Sequence, residues 1–136
     1  MEPAKVIIRF KDGRRLKGYV SDFFSKGSDF SFKEKPSEEG TRVVFDDLKA
    51  IFFVKDLDGN PDYSEKKEFS DDQTYLGKKV KVIYHDGEVA VGTVLAYNPK
   101  RPGFLMIPSD ERSNNIKIFV VSSAVKELRF FPAEEV

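Results

Sequence analysis

Cysteine and tryptophan are absent from this chain, and histidine (His85) and glutamine (Gln73) occur once each. Without cysteine there is no disulfide framework, no thiol nucleophile and no thiolate zinc site. A single histidine leaves no histidine-rich metal cluster, so neither a metal nor another cofactor is expected. No stretch approaches the ~20 apolar residues of a membrane-spanning helix. The start, Met1-Glu2-Pro3-Ala4-Lys5, has no apolar signal-peptide core. The expectation is a soluble, cytoplasmic protein with no membrane insertion. Charge of one sign is missing too: 23 Lys and Arg stand against 23 Asp and Glu, which argues against capture of nucleic acid by bulk electrostatics.

The chain does have 13 phenylalanines, and charged residues make up 34% of it. Many charges with scarce amide side chains is a pattern of heat-adapted proteins. The 136 residues fit one ordinary domain or two very small ones.

Two small units are what the pattern suggests. At an offset of 74, Val6, Asp12, Gly13, Gly18 and Val20 meet identical residues at Val80, Asp86, Gly87, Gly92 and Val94. At an offset of 77, Val43-Val44 falls on Val120-Val121, and Leu48–Phe53 falls on Val125–Phe130. The repeat predicts an internal duplication, with units over 4–55 and 77–132 and a charged crossover over 56–76. In each unit, alternating apolar residues flank an Asp-Gly hairpin signal. Phe30 and Phe32, or Phe104 and Met106, mark a third strand. A fourth strand, a 3₁₀ turn and a fifth strand follow. The expected fold is all-β: two tandem five-stranded small barrels with little helix, one helical turn around Ser64–Phe69 aside. Phe10, Phe23, Phe24, Phe52, Phe53, Phe119, Phe130 and Phe131 exceed what one small barrel can hide, so some should form the contact between units.

The run from Ile8 to Gly18, with Asp12-Gly13-Arg14 inside it, resembles the first half of the Sm/Lsm motif and implies an SH3-like or Sm-like barrel. That family's base-holding Asn loop and Arg-Gly pair have no counterpart in Asp29–Lys33 or Phe45–Leu48. Asp47–Asp56, Gly103–Asp110 and Ser113-Asn114-Asn115 resemble an uncharacterised bacterial family of tandem small β domains. That likeness spans nearly the whole chain and implies an accessory module without assigned activity. The cyclic-dinucleotide signature of PilZ barrels is not matched, because Arg9 to Arg14 or Arg15 has the wrong spacing.

Two surfaces stand out. Asn98, Lys100 and Arg101, in a Pro-flanked loop, join Asn114 and Asn115 as candidate partner contacts, on the ground that loops on rigid scaffolds often bind. The bland alternative is that Asn114-Asn115 forms a positive-φ hairpin turn. Arg9, Lys11, Arg14, Arg15, Lys17 and Tyr19 surround the first hairpin and form an alternative nucleic-acid contact, where an aromatic among cations can stack a base. Asp56–Asp62 has the wrong spacing for a calcium loop and reads as a solvated turn. No nucleophile is matched with a base, so no catalytic residue is assigned. The sequence points to a non-catalytic binding or adaptor module with a protein partner, in a bacterial regulatory or surface-apparatus setting. An Sm-like oligonucleotide binder is the alternative, and edge pairing into homo-oligomers is open to such barrels.

Overall fold

A computed structural model describes residues 4–20, 29–71 and 73–131. Its strands are β1 (Ala4–Phe10), β2 (Arg15–Val20), β3 (Asp29–Lys33), β4 (Thr41–Val44), β5 (Leu48–Val54), β6 (Lys78–Tyr84), β7 (Val89–Val94), β8 (Gly103–Pro108), β9 (Asn115–Val121) and β10 (Val125–Phe130). Among the described residues the helical elements are two 3₁₀ turns, Phe45–Asp47 and Ser122–Ala124.

Local chemistry accounts for the hairpins. Gly13 and Gly87 sit at φ +95° and +88°, where a side chain would be strained. Asp12 and Asp86 each accept the amide two residues on through Oδ1, at 3.0 Å from Arg14 and 2.9 Å from Glu88. Gly18 and Gly92 serve a different purpose. A Cβ built at either would overlap a carbonyl oxygen of the next strand, that of Lys33 or Ile107. Glycine therefore lets β2 and β7 bend tightly against β3 and β8, which they meet only at their far ends.

All ten strands join one antiparallel sheet, in the order β10-β6-β7-β8-β9-β5-β1-β2-β3-β4. The expectation of a pair of five-stranded barrels is met in its coarser part: the chain is all-β with almost no helix, but its strands form one sheet that does not close. The runs β5-β1-β2-β3-β4 and β10-β6-β7-β8-β9 have the same order, yet neither closes on itself. The reason is that β5 pairs with β9, with Ala50 opposite Val120 and Phe52 opposite Ile118, which leaves β4 and β10 as outer edges.

That junction explains why β5 reads Leu-Lys-Ala-Ile-Phe-Phe-Val without alternation and is buried on both faces. Leu48, Ile51 and Phe53 enter a core with Val6, Ile8, Phe30, Phe32 and Phe45, to which β9 lends Val121 and Phe119. Ala50 and Phe52 enter the other core, with Val80, Val82, Tyr84, Phe104, Met106 and Val120. Each half thus completes the other's core. Separating them would expose side chains each worth roughly 1.5–3 kcal/mol when buried. Phe130 and Phe131 stay 42% and 43% exposed. Phe23 and Phe24 lie outside the described residues.

The helical turn expected around Ser64–Phe69 does not form. Side chains capture the amides it would use: Lys66 N donates to Asp110 Oδ2 at 2.9 Å, and Ser70 N to Tyr75 Oη at 2.7 Å. No helix among the described residues is long and apolar enough to cross a membrane.

Candidate binding surface

The two parts of the loop surface lie apart. Asn98–Arg101 is an exposed turn in which Asn98 Oδ1 accepts the Lys100 amide at 3.0 Å. Asn114 and Asn115 sit beyond the opposite end of β8, whose six residues span about 20 Å. The asparagines are also engaged inside the molecule. Asn114 Nδ2 donates to the Asp56 carbonyl at 2.9 Å, and its Oδ1 accepts the Asp56 amide at 3.1 Å. Asn115 Nδ2 reaches Glu65 at 3.4 Å. Neither has the positive φ of the expected turn, since their side chains, not a left-handed backbone, hold the loop.

These bonds belong to a polar clamp that docks the crossover. The Tyr63 hydroxyl donates to Asp110, and the Ser113 hydroxyl to Glu65. Burial raises the Asp110 pKa, but the Lys66 amide and Tyr63 hydroxyl outweigh it and hold the carboxyl below its ordinary value. The same bond pushes the Tyr63 phenol up. Asp56–Asp62 folds into two Asx turns, through Asp58 N to Asp56 Oδ1 and Asp62 N to Asn60 Oδ1. No group of three or more metal-ligating side chains occurs among the described residues.

The basic hairpin divides in two. Arg9 Nη1 binds Glu88 at 3.2 Å, Lys11 Nζ binds Ser123 Oγ at 2.7 Å, and Arg14 Nε binds Asp12 at 2.7 Å while its guanidinium stacks 4.5 Å over Phe10. Arg9 and Lys11 thus turn toward the seam between halves. There the buried Lys49 is the central charge. It is the extra residue of a β-bulge, skipped where Arg9 pairs with Ala50 and Phe10 with Leu48. Its side chain is 5% exposed, and Nζ lies 2.7 Å from Asp86, 2.9 Å from Glu88 and 4.6 Å from the centre of the Tyr84 ring. The Lys49 hydrogen bond lowers the Asp86 pKa. Burial raises Glu88, but its bonds to Lys49 and Arg9 overcome this and bring it below the ordinary value. Burial pushes the Tyr84 phenol upward. A cavity of about 110 Å³ lies between Lys11, Lys49, Tyr84 and His85, below the ~300 Å³ at which organic-ligand pockets begin.

Arg15, Lys17 and Tyr19 remain on one outward face of β2. Register extends this face in ways the sequence reading missed. Lys5 lies opposite Tyr19, Ile7 opposite Lys17, and Lys33 on β3 opposite Tyr19 from the other side. Arg42 on β4, opposite Ser31, continues it. Lys5, Arg15, Lys17, Lys33 and Arg42 therefore share a face with Tyr19 and Ile7 near its middle. Strand alternation carried from β1 to β3 was the available signal.

The matching face of β6–β7 carries Lys79, Lys81, Val91 and Thr93, and the crossover lies over part of it. Phe69 and Tyr75 meet edge to face at 4.9 Å, with Lys79 Nζ 5.0 Å and 5.3 Å from their ring centres.

Residues 2–131 match DUF6982, described as a family of unknown function. No curated protein and no solved structure matches the chain. The chain belongs to the DUF6982 family.

Proposed function

We propose that this DUF6982 member is a non-catalytic binding module, built of two SH3-like or Sm-like units related by duplication and joined edge to edge, that docks a partner protein on the outer face of β1–β3. The duplication is supported by the shared strand order and by a bulge at matched positions, Lys49 in β5 and Lys126 in β10. The observation that carries the docking reading is a sheet face presenting Lys5, Arg15, Lys17 and Lys33 around Tyr19, in a chain with no net charge. A cluster of cations on one face of a neutral protein attracts a complementary acidic surface and gives it orientation. The loop contacts expected at Asn114 and Asn115 are replaced in this reading, because those side chains hold the crossover.

A second reading, single-stranded nucleic acid, draws on Tyr19 among the cations, since a ring flanked by Lys and Arg suits a base and its phosphates. Titrating labelled acidic peptides and single-stranded RNA or DNA against the chain across a salt series tests both. Peptide binding lost in Lys5→Glu/Lys17→Glu supports the first reading. Oligonucleotide binding lost in that variant, with no peptide binding, replaces it by the second.

A further inference from the structure

The outer faces of the two halves differ in what covers them. At the offset of 74, Lys5 corresponds to Lys79, Lys17 to Val91 and Tyr19 to Thr93. Over the second face the chain lays its own crossover. Lys79 lies against both Phe69 and Tyr75, and Phe131 closes the cluster 5.2 Å from Phe69. Val91 and Thr93 are 4% and 5% exposed. The Tyr75 hydroxyl reaches the Ser109 carbonyl at 3.3 Å, and Asp110 holds the Tyr63 hydroxyl and the Lys66 amide. On the first face the matching Lys5 is exposed, as are Arg15 and Lys17. None of these three side chains makes a hydrogen bond, ion pair or ring contact among the described residues.

We propose that the face of β1–β2 receives, from a partner protein, an acidic segment carrying two aromatic side chains, laid on it as Phe69 and Tyr75 of the crossover lie against β6, with Lys5 against the rings in the position of Lys79. This rests on reading that face as a protein-docking surface. The aromatic part comes from the internal example: a lysine at this position is already matched by two rings within cation–π distance. The acidic part comes from charge. The covered face offers Lys79 and Lys81 to a strap whose sequence carries Glu65, Glu68, Asp71 and Asp72 against Lys66 and Lys67. The open face adds Arg15, Lys17 and Lys33, so its occupant needs more carboxylates than the crossover has. The extended backbone of the occupant follows from the crossover, whose described residues form no helix or strand.

The test is fluorescence anisotropy on the full chain with a labelled peptide of the 68–75 sequence, Glu-Phe-Ser-Asp-Asp-Gln-Thr-Tyr, extended by glutamates at both ends. A second peptide has both aromatics replaced by serine. The expected result is binding that weakens steeply between about 50 and about 200 mM salt. It falls at least about tenfold in Lys5→Glu/Lys17→Glu, a change of ~1.4 kcal/mol. It also falls at least about fivefold for the serine peptide, as loss of the ring contacts requires. Both replaced lysines are exposed, and an unchanged melting temperature checks that the variant is folded. If the serine peptide binds as tightly as the aromatic one, acidic docking stands and the aromatic strap is overturned. If neither peptide binds, or the charge reversal leaves binding unchanged, the docking face itself falls. Single-stranded RNA that binds where the peptides do not, and is lost in the variant, overturns the protein partner in favour of nucleic acid.

Discussion

The ion cluster at the seam predicts an order of damage that runs against counting charges. Lys49 is buried to its tip, with a side chain 5% exposed, whereas its partners Asp86 and Glu88 are 51% and 45% exposed. Neutralising both carboxylates, in Asp86→Asn/Glu88→Gln, keeps their size and the Asp86 Oδ1 that accepts the Glu88 amide. It leaves an ammonium in the seam with neutral acceptors and the Tyr84 ring 4.6 Å away. Stranding a fully buried ion by removing its partner costs about 3–5 kcal/mol. Retained neutral acceptors and the half-open rim reduce this to about 2–3 kcal/mol. Lys49→Met removes the ion instead. Both carboxylates can then take up water, Glu88 keeps Arg9, and the methionine fills the stem's volume, so the loss is about 1 kcal/mol. At ~3–4 °C per kcal/mol for a chain of this size, the double variant melts about 6–12 °C lower and Lys49→Met about 3–4 °C lower. The triple variant recovers most of the difference, because the stranded charge has gone. Urea unfolding monitored by circular dichroism, with linear extrapolation, measures all three. The reasoning is refuted if Lys49→Met costs as much as the double variant, or if the triple variant is the least stable.

Three other outcomes follow from the same geometry. Asp86, Glu88 and Asp110 have folded-state pKa values below their ordinary ones, so the stability they contribute is present above the ordinary values of 3.8 and 4.5 and is lost as pH falls through the lowered ones; unfolding free energy measured against pH should drop on that acid side, and less steeply in Lys49→Met. Asn114→Ala removes two bonds that tie the crossover to the β8–β9 loop, so it should cost about 1–2 kcal/mol and speed proteolytic cleavage within residues 57–75, as followed by mass spectrometry. Glu127→Ala/Arg129→Phe gives edge strand β10 the residues that Ala50 and Phe52 supply in β5, and should make sedimentation more strongly dependent on concentration than that of the unaltered chain; unchanged sedimentation would mean that these charges do not guard the edge.

The strands were legible because their signals are local. Asp12-Gly13 and Asp86-Gly87 make the same turn through adjacent backbone groups, and apolar alternation places Val6, Ile8, Val80 and Val82 inside. The candidate surfaces were less legible because their decisive partners are distant in the chain. Nothing near Arg9 or Lys11 announces that Glu88 and Ser123 will bind them, and nothing near Asn114 announces Asp56. The part of the basic hairpin that keeps one outward face, Arg15, Lys17 and Tyr19, is the part governed by strand alternation alone.

The joining of the halves was within reach of the sequence, however. Aligning β5 with β10 sets Ala50 and Phe52 against Glu127 and Arg129, while the alternate positions stay apolar as Ile51 over Leu128 and Phe53 over Phe130. Two strands that match on one face and differ in chemistry on the other cannot have the same neighbours. The apolar one must be covered on its second face and the charged one must be left at the edge, which is how β9 and solvent divide them. The same comparison of matched positions sets exposed Lys5 against covered Lys79. Where the two halves agree they specify a common strand order, and where they differ they show which surfaces the chain covers for itself and which it leaves open.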